Sequence, residues 1–68
     1  MPVVKVVELV GQSENSWEDA VRQAVQAAAK TVRNIRGVEV KNWTGDVENG
    51  RITGYRADVH IAFMVEDT

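Results

Sequence analysis

The run RITGYRADVHIAFMVE, residues 51–66, constrains the fold most, because it alternates from end to end. Thr53, Tyr55, Ala57, Val59, Ile61, Phe63 and Val65 share one parity; Ile52, Gly54, Arg56, Asp58, His60, Ala62 and Met64 share the other. Successive side chains of a strand point to opposite faces. The segment is therefore a long strand with one face fit for a core and a second face that mixes charges with small apolar groups. Something else in the chain must cover the first face, and the register is fixed by that demand.

The cover is supplied by SENSWEDAVRQAVQAAAKTVRNI, residues 13–35, where the period changes. Ser16 followed by Asp19 reads as a capping box, and Glu18 and Asp19 place negative charge in the first turn, where the helix dipole favours it. Trp17, Ala20, Val21, Ala24, Ala28, Val32 and Ile35 then form one apolar stripe on a helix of about five turns. Arg22, Gln23, Gln26, Lys30 and Arg33 form the solvated face, with cations late in the helix. The alanines on the stripe allow a sheet to approach closely.

Two further strands complete the reading. PVVKVVELVG, residues 2–11, is valine-rich, apolar on both parities and ends at Gly11, so it is a strand buried on both faces. VEVKNWT, residues 38–44, alternates: Val38 and Val40 point to the helix, while Glu39, Lys41 and Trp43 point away. GDVENG, residues 45–50, is a hairpin loop, longer than the tight two-residue type unless Val47 and Glu48 extend the ladder. The predicted architecture is α+β, a single domain over residues 1–68: β-α-β-β, with a three-stranded antiparallel sheet wrapped around one helix.

A chain of 68 residues buries only about 60% of the surface its unfolded form exposes, so its own core is marginal. It has no cysteine, which removes disulfides, thiolate-bound zinc and thiol nucleophiles from consideration. Self-association is the remaining staple. The far sheet face, with Glu39, Lys41, Trp43, Arg56, Asp58, His60 and valines of the first strand, is too polar for a core and too apolar for a plain wet surface. A second copy is its expected cover. Eight Lys and Arg are scattered among ten Asp and Glu, for a net charge of -2, so nucleic acid is not an expected partner. The first ten residues form neither a signal sequence nor a membrane span, and the expected location is the cytoplasm.

No catalytic set assembles along the chain. His60, two residues from Asp58 and four from Arg56, would serve as an acid or base only with a carboxylate to orient it; a hydrogen-bonded interface residue is the plainer account. Asp46, Glu48 and Asn49 offer oxygen ligands for calcium, but without the spacing of a dedicated calcium loop. Trp17, just after the cap, is expected to pin the first helical turn to the sheet. Trp43, assigned to the far face, is expected to make a subunit contact or stack on a ligand.

ELVGQSENSWEDAV, AAAKTVRNI, VEV, the acidic Asn-Gly hairpin and YRADVHIAF occur in an order and spacing that resembles the dodecin family over nearly the whole chain. The resemblance implies twelve copies closed into a hollow shell, a homododecamer that stores flavin (riboflavin or FMN) without turnover. It implies a ring-stacking Trp at the start of the second strand and a ring-edge Gln on the third; those positions here hold Gly37 and Arg56. Trp43 lies six residues, ~20 Å, along the strand from Gly37, too far to replace the missing ring within one copy. The expected ligand-binding set is Gly37, Glu39, Arg56 and Trp43. A branch of the family lacking the stacking Trp is associated with calcium, for which Asp46, Glu48 and Asp58 are the candidate ligands. Arg56 by itself suits an anion such as phosphate or carboxylate.

Overall fold

The computed structural model describes residues 3–65 and orders them as β1 (Val3–Ser13), α1 (Trp17–Ala29), β2 (Ile35–Glu48) and β3 (Arg51–Val65). The ends of the predicted first and third strands, Pro2 and Glu66, lie outside the described residues. The sheet is antiparallel throughout, with order β1-β3-β2, so the long alternating run occupies its centre. Ala57, Val59 and Ile61 of β3 are fully buried against Ala20, Ala24 and Ala28 of α1, as their shared parity requires.

The alanine stripe permits a very close approach at one point. A Cβ placed on Gly11 would lie 1.9 Å from the carbonyl oxygen of Ala20 and 3.1 Å from Ala24 Cβ. Gly11 is therefore not where β1 stops; the strand continues to Ser13, and the glycine is the place where the helix backbone rests on it. Ser16 caps α1 by accepting the Asp19 N–H at 3.0 Å. The Asp19 carboxylate does not complete a reciprocal box. It accepts instead from the Ser13 hydroxyl at 2.6 Å, and Ser13 Oγ in turn accepts the Asn15 N–H at 2.9 Å.

Three further sequence expectations are corrected here. First, α1 ends at Ala29, short of the expected five turns. Thr31 and Val32 only close the last turn onto the Ala28 carbonyl, and Asn34 takes a left-handed conformation with φ 62° that redirects the chain into β2. Val32 and Ile35 leave the helical stripe, and Ile35 joins the sheet opposite Phe63. Lys30 and Arg33 consequently lie at and beyond the helix end.

Second, the hairpin is tight. Val47 and Glu48 do extend the ladder, leaving Asn49 and Gly50, with φ 53° and 76°, as a two-residue turn; the region of positive φ is what Asn-Gly supplies there. Gly45 and Asp46 are strand residues, not loop.

Third, Trp43 faces the helix side of the sheet. The pairing shifts between Val40↔Val59 and Asn42↔Asp58, so Lys41 is an extra residue, and everything after it changes phase. Trp43 thus pairs with buried Ala57 and meets Trp17 edge-on, centroids 6.5 Å apart. Trp17 also packs edge-on against Tyr55 at 4.7 Å and donates its indole N–H to the Thr44 carbonyl at 2.8 Å, which fixes the first helical turn to the sheet as expected.

The resulting body measures 54 × 19 × 12 Å, with a radius of gyration of 14.0 Å. A compact chain of this length would have about 11 Å. The β2–β3 hairpin extends well past the helix, and α1 covers only part of one sheet face.

Candidate functional site

The face of the sheet turned away from α1 is built by alternate residues of all three strands. Val4, Val6, Glu8, Val10 and Gln12 come from β1, and Met64, Ala62, His60, Asp58, Arg56 and Gly54 lie beside them on β3. Gly37, Glu39, Asn42, Thr44 and Asp46 complete it on β2. It divides lengthwise. Val4, Val6, Ala62, Met64 and Gly37 make an apolar end, and from Glu8, His60 and Glu39 onward the face is polar apart from Val10. Val4, Val6 and Val10 are 55%, 55% and 61% exposed, so the expectation that β1 is buried on both faces does not hold within one protomer.

The predicted ligand residues are only partly brought together. Gly37, Glu39 and Arg56 share this open face, whereas Trp43 stands on the opposite one, 54% exposed, beside the first residue of α1. Gly37 has no atom within 4 Å of where its Cβ would be, so the position opens onto free space. It pairs with Ala62, six residues along β3 from Arg56, which puts the two about 20 Å apart. One protomer therefore does not join them in a single cavity.

Arg56 is engaged by Asp46. Its Nη1 donates to Asp46 Oδ2 at 2.9 Å and its Nη2 to Oδ1, a two-point ion pair between β3 and β2. Asp58, next on the same face, has its Oδ1 buried with no hydrogen-bond partner. Glu48 sits at the exposed end of β2, opposite Arg51. Among the described residues no three His, Asp or Glu side chains converge on a point that would hold a metal ion. His60 Nε2 lies 3.7 Å from Glu8 Oε2 on the neighbouring strand.

Two concavities escaped sequence reasoning. One, of about 410 Å³, lies at the end of α1 between Lys5, Arg33 and Phe63. The other, about 450 Å³ and mostly polar, surrounds Gln12, Ser13 and Asp19. Both depend on where the helix stops or starts relative to the strands. The φ > 0 tendency of Asn34 was the available signal for the first.

Fold and face together define a class: a small ββ-hairpin and helix unit whose sheet is covered on one side only, and whose candidate site is incomplete in a single copy. The family model described as Dodecin matches residues 3–66. The dodecin of Thermus thermophilus is 36% identical over 66 residues, covering 97% of this chain and 96% of that protein. The calcium dodecin of Mycobacterium tuberculosis is 39% identical over 66 residues, covering 96% and 92%. A crystal structure of a Thermus thermophilus protein superimposes with a TM-score of 0.95 at 35% identity, covering 100% of both chains. The chain belongs to the dodecin family. Among the described residues, no helix is long and apolar enough to cross a membrane.

Proposed function

We propose that the chain is the protomer of a homododecameric shell, non-enzymatic and cytoplasmic, that holds a small ligand where the open sheet faces of neighbouring copies meet. One observation carries this reading: three exposed valines line a sheet face on a protomer whose buried core, among the described residues, is six residues, four of them alanine. Such a face in water is unstable for a domain this size, and burying it against copies of itself supplies the missing apolar area.

Flavin, riboflavin or FMN, is the ligand the family resemblance favours. Gly37 supplies space for a planar ring but no aromatic surface, so stacking contributes less here than a tryptophan would by about 0.5–1.5 kcal/mol. Calcium is the second reading. It is favoured by the Mycobacterium tuberculosis relative, named a calcium dodecin, and by the unpartnered Oδ1 of Asp58.

The test is a titration of riboflavin fluorescence with the purified protein, beside its mass in solution by light scattering. Quenching by a twelve-subunit particle supports the flavin shell. A twelve-subunit particle that leaves riboflavin bright directs the search to calcium, by isothermal titration. A monomer removes the proposal.

A further inference from the structure

The Asp46–Arg56 pair is built from three residues. Asp46 lies opposite Gly54, not opposite Arg56, and its carboxylate reaches diagonally across β3. It can do so because Gly54 is bare: a Cβ there would stand 2.8 Å from Asp46 Oδ2. The side chains are 35% and 43% exposed, so the pair is sheltered without being sealed. A planar guanidinium bound at two points by a carboxylate has its charge matched and one bidentate edge taken, so it attracts a second anion far less than a free one.

What the pair leaves behind matters as much. With Arg56 neutralised, the charges flanking it on this face are Glu8, Glu39 and Asp58, all negative, with His60 between them. Asp58 is the next residue on the same face as Arg56, yet its Oδ1 stays without a partner while Asp46 holds the guanidinium. Remove the Asp46 carboxylate, and the same face presents a free arginine.

We propose that Asp46 is the positioning residue that sets the charge class of ligand this face accepts: by clasping Arg56 across Gly54, it keeps phosphate-bearing groups out and admits neutral or cationic ones. The inference rests on the reading of this face as the ligand-bearing one, and of the two flavins named there it selects uncharged riboflavin over FMN. Binding of a phosphate-containing probe should then be weak in the native protein and depend on residue 46, while binding of uncharged riboflavin should not.

The experiment uses the assembled protein, with particle mass checked for each variant. Pyrophosphate is titrated calorimetrically into wild type, Asp46→Asn, Asp46→Glu and the double variant Asp46→Asn with Arg56→Gln. Asp46→Asn is expected to bind it about tenfold or more tightly than wild type, the scale of one freed arginine–phosphate contact. Asp46→Glu, which retains the carboxylate, is expected to return to wild-type behaviour, and the double variant to lose the gain. Gly54→Ala loosens the clasp without touching either charge, and it carries the test if Asp46→Asn fails to assemble. Equal pyrophosphate affinity in wild type and the loosened variants, strong or absent in both, overturns the proposal. Riboflavin titrated in parallel separates the two ideas: its failure to bind any of the proteins counts against the flavin shell, whereas an unmoved pyrophosphate ratio counts against the clasp.

Discussion

Gly11 is the residue on which the helix–sheet contact turns. Its missing side chain lets the Ala20 carbonyl lie where a Cβ would otherwise be. The atoms in the way are backbone, which cannot rotate aside. Gly11→Ala is expected to lose about 3 kcal/mol or more and to prevent assembly, read by urea unfolding and by particle mass. Ser13 has a different role at the same end: its buried hydroxyl donates to Asp19 and accepts from the Asn15 N–H. Ser13→Ala leaves that N–H and the carboxylate without their partner and should cost about 1–3 kcal/mol in the same unfolding experiment. Gly11 was legible in the sequence only as an end-of-strand glycine. Nothing local says that the carbonyl of Ala20, in the following helix, will need its space; that is a property of the packed pair.

At the scale of the element, β2 is governed by its irregularities. Pairing shifts occur at Ile35/Gly37, Val40/Asn42 and Asp46/Val47, and the second reverses the face of Trp43. Deleting Lys41 should restore unbroken alternation and keep Trp43 opposite Ala57 on the helix side, against Trp17. The near-ultraviolet circular dichroism of the Trp17–Trp43 edge contact should then be retained, while its loss would mean that the strand had slipped in register. Alternation in VEVKNWT gave the correct faces for Val38, Val40 and Glu39 and the wrong one for Trp43. The error begins at the bulge, because period-two reasoning has no term for an extra residue. The helix was misjudged for a related reason: TVRNI continues the helical spacing, but β-branched Thr31 and Val32 followed by left-handed Asn34 end it, and Ile35 gains a strand partner in Phe63.

The whole molecule is long, thin and covered on one side, and its predicted behaviour follows from that shape. Val6→Asp, placed on the open face away from α1, is expected to lower the particle mass in light scattering while leaving the protomer's own core contacts untouched. Wild-type mass after this substitution would mean that the face is not an interface. Gly37→Trp enters open space without strain and restores a stacking surface. Riboflavin should bind that variant about tenfold more tightly than wild type, measured by fluorescence quenching. An unchanged affinity would place the flavin elsewhere than the open end of this face.

The sequence by itself determined the element types, their order, the antiparallel sheet and the pairing of the helix alanines with Ala57, Val59 and Ile61. These follow from periodicity, which is a local property read directly from residue spacing. It also placed Glu39 and Arg56 on one face, since β2 alternates from Val38 to Val40 and β3 alternates from Gly54 to Met64. Only the tertiary structure decided the face of Trp43, the capture of Arg56 by Asp46 and the depth to which α1 settles on Gly11. Each of these depends on how far one strand is shifted against another or on how closely two backbones approach. Those are distances between segments remote in the chain, and residue spacing along one segment does not contain them.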